Sequence, residues 1–304
     1  MTRHLVIKLG ALGDMVLATG AFSAIRAHHP GDHLVLLTTG AYEDFARASG
    51  YFDEVWIDSR PPLWRVWSWL ALGARLRGGG FERVYDLQHS TRSHLYFRLF
   101  GADRPEWSGV APGCSHPHAN PRRDFMHTVE REAEQLAMAG IKETPPPDLA
   151  WLSSDISAFG LRPPYALLVP GGSAHRPEKR WPGYGAAAAA LAERGIAPVL
   201  IGAATERPVL AAIAESCPQA VDLCGRTDFG AIAALARGAQ AAIGNDTGPM
   251  HIIATAGCPS LVLFSGASKP TLTAPRGVRV TILQRDSLAN LDVDAVMAGL
   301  DLPD

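Results

Sequence analysis

The feature that most constrains this chain is an alternation that runs through it twice. Short runs rich in Val, Ile and Leu alternate with longer segments of helical spacing, the pattern of a parallel sheet whose strands are joined by crossover helices. In the first round, strands are expected at residues 5–7, 34–38, 54–58 and 83–88. Met15, Ala18, Phe22 and Ile25 recur at helical spacing between the first two, as one helix covering the sheet. A Trp-rich segment over 63–77 also reads as a helix, ending at Gly78-Gly79-Gly80. Its tryptophans are expected to pack against a neighbour rather than bind a sugar. From 101 to 124 the period fails among prolines, glycines, histidines and arginines. That stretch reads as a long irregular loop, either functional or disordered. A helix follows over 127–139.

Residues 142–164 hold Pro145-Pro146-Pro147 and Pro163-Pro164 with no strong period, and form the natural linker. Beyond them the alternation restarts. Strands are expected at 165–169, 197–201, 220–223, 241–244, 260–264 and 278–283, with alanine-rich helices between them and a final helix over 292–300. The fold class is therefore α/β, with two doubly wound Rossmann-like domains facing a cleft. The first domain covers 1–160, linker included, and the second 161–304; each is long enough to bury its own core. In open α/β sheets ligands sit at the carboxyl ends of strands, so the loops there should carry the chemistry.

Bulk charge narrows the choice of partner. A formal net charge of −2 gives no case for a general polyanion binder such as a nucleic-acid protein, but leaves local basic clusters free to grip a phosphate. Cys114, Cys217, Cys224 and Cys258 are scattered, without paired metal spacing or a disulfide framework, and Cys224 and Cys258 read as small buried hydrophobes. The first apolar run is too short for a signal peptide or a membrane span. The expectation is a reducing, cytoplasmic setting.

Three loops stand out. Lys8 through Asp14 joins the first strand to the first helix, and Gly10 and Gly13 let its backbone turn tightly. The glycine spacing is neither the dinucleotide fingerprint nor a P-loop. Asp14 suits two roles there: a helix cap or a general base facing the cleft. The second loop, Pro170 to Pro182, exposes backbone at Gly171, Gly172 and Ser173 and supplies positive charge from Lys179 and its neighbouring arginines. A solvated basic loop is its plain alternative. The third, Gly244-Asn245-Asp246-Thr247-Gly248-Pro249-Met250-His251, opens a helix that Asp246 or Thr247 would cap. Its N-terminus suits a pyrophosphate, with His251 one turn deeper on the face of Thr247. Cys114-x-His116-x-His118 lacks a clear fourth ligand, and Asp292-Val293-Asp294 opens the last helix and reads as its cap, so no metal site is expected.

Taken in order, these loops resemble the lipopolysaccharide heptosyltransferases, glycosyltransferase family 9, over nearly the whole chain. The matching marks are Lys8 to Asp14, Lys179-Arg180-Trp181-Pro182, and Asn245 to His251. Asp86-Leu87-Gln88, ahead of a helix containing Arg92, also fits the family's pattern. The resemblance implies a GT-B fold and metal-independent transfer with inversion at the anomeric carbon, with no cofactor beyond the nucleotide-sugar donor. It implies Asp14 as catalytic base, and Lys179, Thr247, Gly248 and Ser173 as groups meeting the departing diphosphate. Asp246 and His251 would serve the donor sugar. Arg92, Arg122 and Arg123 would contact the phosphates of a glycan or lipid-linked glycan acceptor, which would bring the chain into peripheral contact with the inner membrane.

The sequence departs from the family where Gly-Pro-Thr usually follows the fifth strand of the second domain. Here Ser265-Gly266-Ala267-Ser268-Lys269-Pro270 stands instead, and the cysteine-bearing stretch before the last helix is missing. ADP-heptose is thus the family default, with another nucleotide sugar left open. Two other functions also remain open: a nucleotide-sugar epimerase on the same scaffold, and a non-catalytic module that binds a nucleotide sugar.

Overall fold

The computed structural model describes residues 1–172 and 176–302. Its contacts divide the chain into two compact units, Met1–Pro147 and Asp148–Asp304. In the first, the strands are β1 (Arg3–Ile7), β2 (His33–Thr38), β3 (Glu54–Ile57), β4 (Arg83–Asp86), β5 (Glu106–Gly109) and β6 (His116–Pro117). The main helices are α1 (Leu12–Leu17), α2 (Thr19–His28), α3 (Glu43–Ala48), α4 (Val66–Gly78), α5 (Thr91–Leu99) and α6 (Thr128–Met138). All strand pairs are parallel, in the order β3-β2-β1-β4-β5-β6. Because β1 is central and covered on both faces, it is a continuous apolar run rather than an alternating one: Leu5, Val6 and Ile7 are all fully buried.

The second unit repeats the plan. Its strands are β7 (Tyr165–Val169), β8 (Ala197–Leu200), β9 (Val221–Asp222), β10 (Ala241–Asn245), β11 (Ser260–Phe264) and β12 (Val280–Gln284). Its helices are α7 (Tyr184–Glu193), α8 (Arg207–Ser216), α9 (Phe229–Gly238), α10 (Gly248–Thr255), α11 (Pro270–Thr273) and α12 (Val293–Ala298). The order β12-β11-β10-β7-β8-β9 is again parallel throughout and has the same topology as the first sheet. In each unit the chain reverses its direction across the sheet beside its first strand, between β1 and β4 and between β7 and β10. In open α/β sheets ligands sit at the carboxyl ends of strands beside such a switch.

Three readings of the first unit need correction. The stretch 101–124 is not an irregular loop throughout, because β5 and β6 add two strands to the sheet. Trp107, fully buried against Phe97 and Phe100, anchors β5. The helix expected through Met15 and Ile25 is divided at Ala18 into α1 and α2, although Ala18 N–H still bonds to Asp14 O and Phe22 N–H to Ala18 O. The tryptophans around α4 do not all pack inward. Trp69 lies against the core of the unit, whereas Trp64 is 80% and Trp67 84% exposed. Elsewhere Cys217, Cys224 and Cys258 are buried and all four cysteines are free thiols. Among the described residues, no helix is long and apolar enough to cross a membrane.

Candidate active site

In the first unit the loop after β1 rests on a buried ion pair. Lys8 Nζ lies 2.6 Å from Glu132 Oε1 on α6 and donates to Leu87 O at 3.0 Å. Both side chains are almost wholly enclosed. Burial pushes the Glu132 carboxyl up, opposed by the Lys8 ammonium. Leu9 N–H donates to Gln88 Oε1 at 2.7 Å, tying the loop after β1 to the loop after β4. Gly10 has φ +106°, and a Cβ there would sit 2.2 Å from Tyr42 Cε2, so the turn admits only glycine.

Asp14 follows as the third residue of α1, behind Ala11 at the N-cap, and its Oδ2 accepts the Ala11 N–H at 3.1 Å. It does cap, but from inside the first turn. Gly13 is buried beside it. Asp14 also lies in electrostatic reach of Tyr42, whose hydroxyl is pushed up first by burial and then by the Asp14 charge.

Beneath this loop is a polar cluster. Asp86, fully buried at the end of β4, accepts from Gln88 N–H at 3.0 Å and His89 N–H at 3.3 Å. Burial raises its pKa to about 6 against those bonds and the Lys8 charge. The His89 imidazole, hydrogen-bonded to Gln135 Oε1, is driven down to about 3 by burial, with Arg131 and Lys8 adding to the effect.

The arginines assigned to the acceptor differ in their freedom. Arg92 reaches Asp58 with Nε at 2.9 Å and Nη2 at 3.1 Å, donates from Nη1 to Pro61 O, and stacks over Trp69 at 4.8 Å. Its planar fork is therefore taken up inside the protein, where it holds a buried carboxylate. Arg123 Nη1 donates to His118 O at 3.1 Å, and Arg122 is exposed.

Cys114, His116 and His118 do not converge: Cys114 Sγ faces Gly109 O, His116 Nδ1 lies near Ser115 Oγ, and buried His118 bonds to Glu134 at 3.1 Å. Among the described residues, one trio of metal-capable groups does, His4, His29 and Asp32. It sits at the opposite end of β1 from Asp14, and its carboxylate already meets Thr2 N–H and His4 Nε2, each at 3.2 Å.

In the second unit the loops after β7 and β10 lie side by side because their strands pair. Asn245, fully buried, locks them together. Its Nδ2 donates to Pro170 O at 2.9 Å and Gly171 O at 3.0 Å, while its Oδ1 accepts Trp181 N–H and Tyr184 O–H, each at 3.2 Å. Every hydrogen-bonding site of the amide group that could be used here is matched, which fixes both loops as one piece. Glu206 braces the other side, its Oε1 accepting Gly172 N–H at 2.8 Å, so close that a Cβ on Gly171 would fall 2.0 Å from the same oxygen. Arg180 Nη2 donates to Gly172 O at 2.6 Å.

On this frame Lys179 Nζ and Asp246 Oδ2 form an ion pair at 2.8 Å, with side chains 16% and 12% exposed. The motifs imply separate tasks for these two residues, and the fold brings them into contact. Thr247 takes the N-cap position of α10 and Gly248 its first turn, with Pro249 next. The cap makes no side-chain bond: Thr247 Oγ1 is buried and has no partner among the described residues. Asp292 is likewise the N-cap of α12 without a side-chain cap bond. His251 is buried one turn into α10. Ser173 lies outside the described residues. Arg176 Nη1 approaches Ala267 O at 3.4 Å, which brings the atypical 265–270 loop beside the same strand ends.

Asn245, Glu206, Glu132 and Asp58 were not singled out in the sequence as site residues. Asn245 carried a signal, as a polar residue closing an apolar strand in Ala241-Ala242-Ile243-Gly244-Asn245. The three carboxylates carried none.

Known proteins match this architecture. The family model described as glycosyltransferase family 9 (heptosyltransferase) matches residues 69–296. Lipooligosaccharide heptosyltransferase 2 of Haemophilus ducreyi is 31% identical over 310 residues, covering 92% of this chain and 88% of that protein. The corresponding protein of Haemophilus influenzae is 33% identical over 120 residues, 37% of this chain and 34% of its own length. Among solved structures, an Escherichia coli ADP-heptose lipopolysaccharide heptosyltransferase II aligns with a TM-score of 0.76 at 21% identity, over 98% of this chain and 97% of that one. That likeness carries the fold, two Rossmann-like α/β domains of the GT-B kind. With the motifs in order and the family model spanning most of its length, the chain belongs to glycosyltransferase family 9, the heptosyltransferases.

Proposed function

We propose that this glycosyltransferase moves a sugar, by family default a heptose from ADP-heptose, onto a lipopolysaccharide-core-type glycan, with inversion and without a metal ion. The observation that carries the proposal is the second unit's strand-end frame, where Lys179 and the start of α10 stand together at the β7/β10 switch. A departing nucleoside diphosphate needs positive charge. An ammonium has three donors, so Lys179 keeps Asp246 with one and turns the others to phosphate oxygens. The helix start adds its dipole and the backbone N–H of Gly248. Charge placed in advance where the leaving group develops it is a large catalytic effect.

In the first unit the Asp14 carboxylate takes the proton of an acceptor hydroxyl. That oxygen bonds to the anomeric carbon of the donor as the bond from that carbon to the diphosphate breaks. Arg122 and Arg123 meet acceptor phosphates, while Arg92 is held by Asp58 inside the unit. The reaction is assigned to the cytoplasmic side of the inner membrane, where a lipid-linked acceptor would be met.

Thermal unfolding against ADP, UDP, GDP and CDP, with and without EDTA, tests the donor site, since a ligand bound only to the folded state raises the midpoint. A shift with ADP that survives EDTA is expected. No shift, or one that EDTA removes, overturns the metal-free diphosphate site. Asp14→Asn should keep the ADP shift and lose transfer by about 10²–10⁴-fold, the usual worth of a general base. Undiminished transfer in that variant would remove Asp14 from the mechanism.

A further inference from the structure

Between Asp58 and Glu82 the chain has no acidic residue and four arginines, Arg60, Arg65, Arg75 and Arg77. The same stretch forms α4 and the turn before it, and it exposes five large apolar side chains: Leu63, Trp64, Val66, Trp67 and Leu70, each more than half accessible. Folding does not need them there, because α4 has a separate inward face. Trp69, Leu72, Gly73 and Leu76 pack against the core at the spacing of one helical stripe, and Trp69 Nε1 donates to Pro62 O at 3.3 Å. The outward stripe, Trp67, Leu70, Ala71 and Ala74, is a second apolar face. A contiguous exposed apolar patch of this kind marks a binding surface.

The charge around the patch selects its occupant. Arg75 is held over Trp56 at 4.1 Å and Arg77 donates to Leu99 O, but Arg60 and Arg65 are exposed and form no ion pair among the described residues. A second copy docked on this face would set arginine against arginine without a carboxylate to match. A surface that offers both negative charge and an apolar interior fits both sets of groups. Tryptophan favours the headgroup boundary, and arginine the anionic headgroups.

We propose that the turn at Leu63–Trp64 and the outward face of α4 dock this chain on an anionic lipid bilayer, with the two tryptophans inserted at the headgroup boundary and Arg60 and Arg65 on the lipid phosphates. The inference deepens the lipid-linked-acceptor reading above by naming the surface that meets the membrane.

The test is co-sedimentation of the full chain with vesicles of mixed phosphatidylglycerol and phosphatidylcholine, and with vesicles of phosphatidylcholine alone, with tryptophan fluorescence followed in parallel. Binding to the anionic vesicles with a blue shift is expected, and much weaker binding to the neutral ones. Trp64→Ala/Trp67→Ala should weaken vesicle binding by about tenfold or more and abolish the blue shift, and Arg65→Glu should weaken it about tenfold. Both variants should keep the wild-type unfolding midpoint and full transfer to a water-soluble acceptor, so a fault in the transfer reading shows separately from a fault in this one. No binding to either vesicle, equal binding to both, or a dimer in solution that the double variant dissociates would each overturn the proposal.

Discussion

Two lysine–carboxylate pairs occupy comparable places, one at each sheet's switch point, and they differ in burial. Lys8–Glu132 in the first unit is sealed at 2.6 Å, with side chains 4% and 1% exposed. Lys179–Asp246 in the second stands at 2.8 Å, with 16% and 12% exposed. The first ammonium also spends a donor on Leu87 O, and its partner's charge is already offset, so it has little left for a ligand. The second lies at the edge of a loop frame that Asn245 and Glu206 hold rigid. On the proposed function equal chemistry would serve opposite ends: the sealed pair fixes the loop that carries Asp14, and the accessible pair would present charge to the leaving diphosphate.

The sharpest way to break this comparison is Lys8→Met. Removing one partner leaves Glu132 buried without its counter-charge, a loss of about 3–5 kcal/mol. For a chain of this size that lowers the unfolding midpoint by roughly 10 °C. Lys8→Met/Glu132→Leu removes both charges and should recover most of the loss, because a buried pair is often replaceable by apolar residues of similar volume. If the single and double variants melt alike, the pair is not the support that its burial implies.

Lys179→Met tests the other side. Asp246 keeps some contact with solvent, so the stability loss should be only about 1–2 kcal/mol, between the exposed and sealed cases. Transfer should fall by about 10²–10³-fold, the cost of deleting one preorganised stabiliser of developing charge, and the ADP-induced rise in midpoint should shrink with it. A large stability loss with normal transfer would make both pairs scaffolding and end the distinction.

How much of this was legible in the sequence follows the range of the interactions. The interior strands declare themselves because they are covered on both faces and so read as unbroken apolar runs, as in Leu34–Leu37 and Leu261–Phe264. β5 and β6 do not. Glu106-Trp107-Ser108-Gly109 has one large apolar residue, and β6 is a two-residue edge strand containing Pro117, where a missing N–H does no harm. The strand-end loops were legible because glycine, Asp and Thr at a strand-to-helix junction have local reasons to be there. The pairings within them were not. Lys8 and Glu132 are 124 residues apart and Lys179 and Asp246 are 67 apart; the first pair meets only where α6 packs against the loop after β1, and the second only because β7 pairs with β10. The Trp-rich helix shows the same limit, since helical spacing identified the segment but did not separate its inward face from its outward one.

The sealed network also makes the first unit the more pH-sensitive of the two sites. Asp86 holds its proton to about pH 6 in the folded chain, while in the unfolded chain it ionises near the ordinary carboxylate value of 3.8. Between those two values the unfolded state loses its proton first, so this group's effect is to lower stability as pH rises from about 4 to about 6. His89 acts in the opposite direction. It is neutral down to about pH 3 when folded, so stability is lost as pH falls below 6.5 and the unfolded chain takes up the proton. The two slopes overlap, and Lys8 and Glu132 sit among them, so the total curve is a poor probe. The difference between wild type and Asp86→Asn is a better one. The variant should gain relative to wild type by about 2–3 kcal/mol between pH 4 and pH 7, the amount that this displacement of one carboxyl represents. A difference that stays flat with pH would mean that Asp86 ionises normally where it is buried.

The smallest effect tests the second unit alone. Thr247 Oγ1 is buried at the start of α10 with no partner among the described residues, so it supplies no cap bond of the kind that normally explains threonine there. Thr247→Val keeps the shape and removes the hydroxyl. Replacing a hydroxyl that makes no internal bond is close to neutral for stability, and a shift in midpoint under about 2 °C is expected. If the hydroxyl instead meets the diphosphate beside the helix N-terminus, the variant should bind ADP about tenfold more weakly, the worth of one hydrogen bond to a charged group. Weakened binding at unchanged stability would place Thr247 with Lys179 among the groups that present themselves to a ligand. A fall in stability with unchanged binding would place it with Lys8, among the groups that hold the frame.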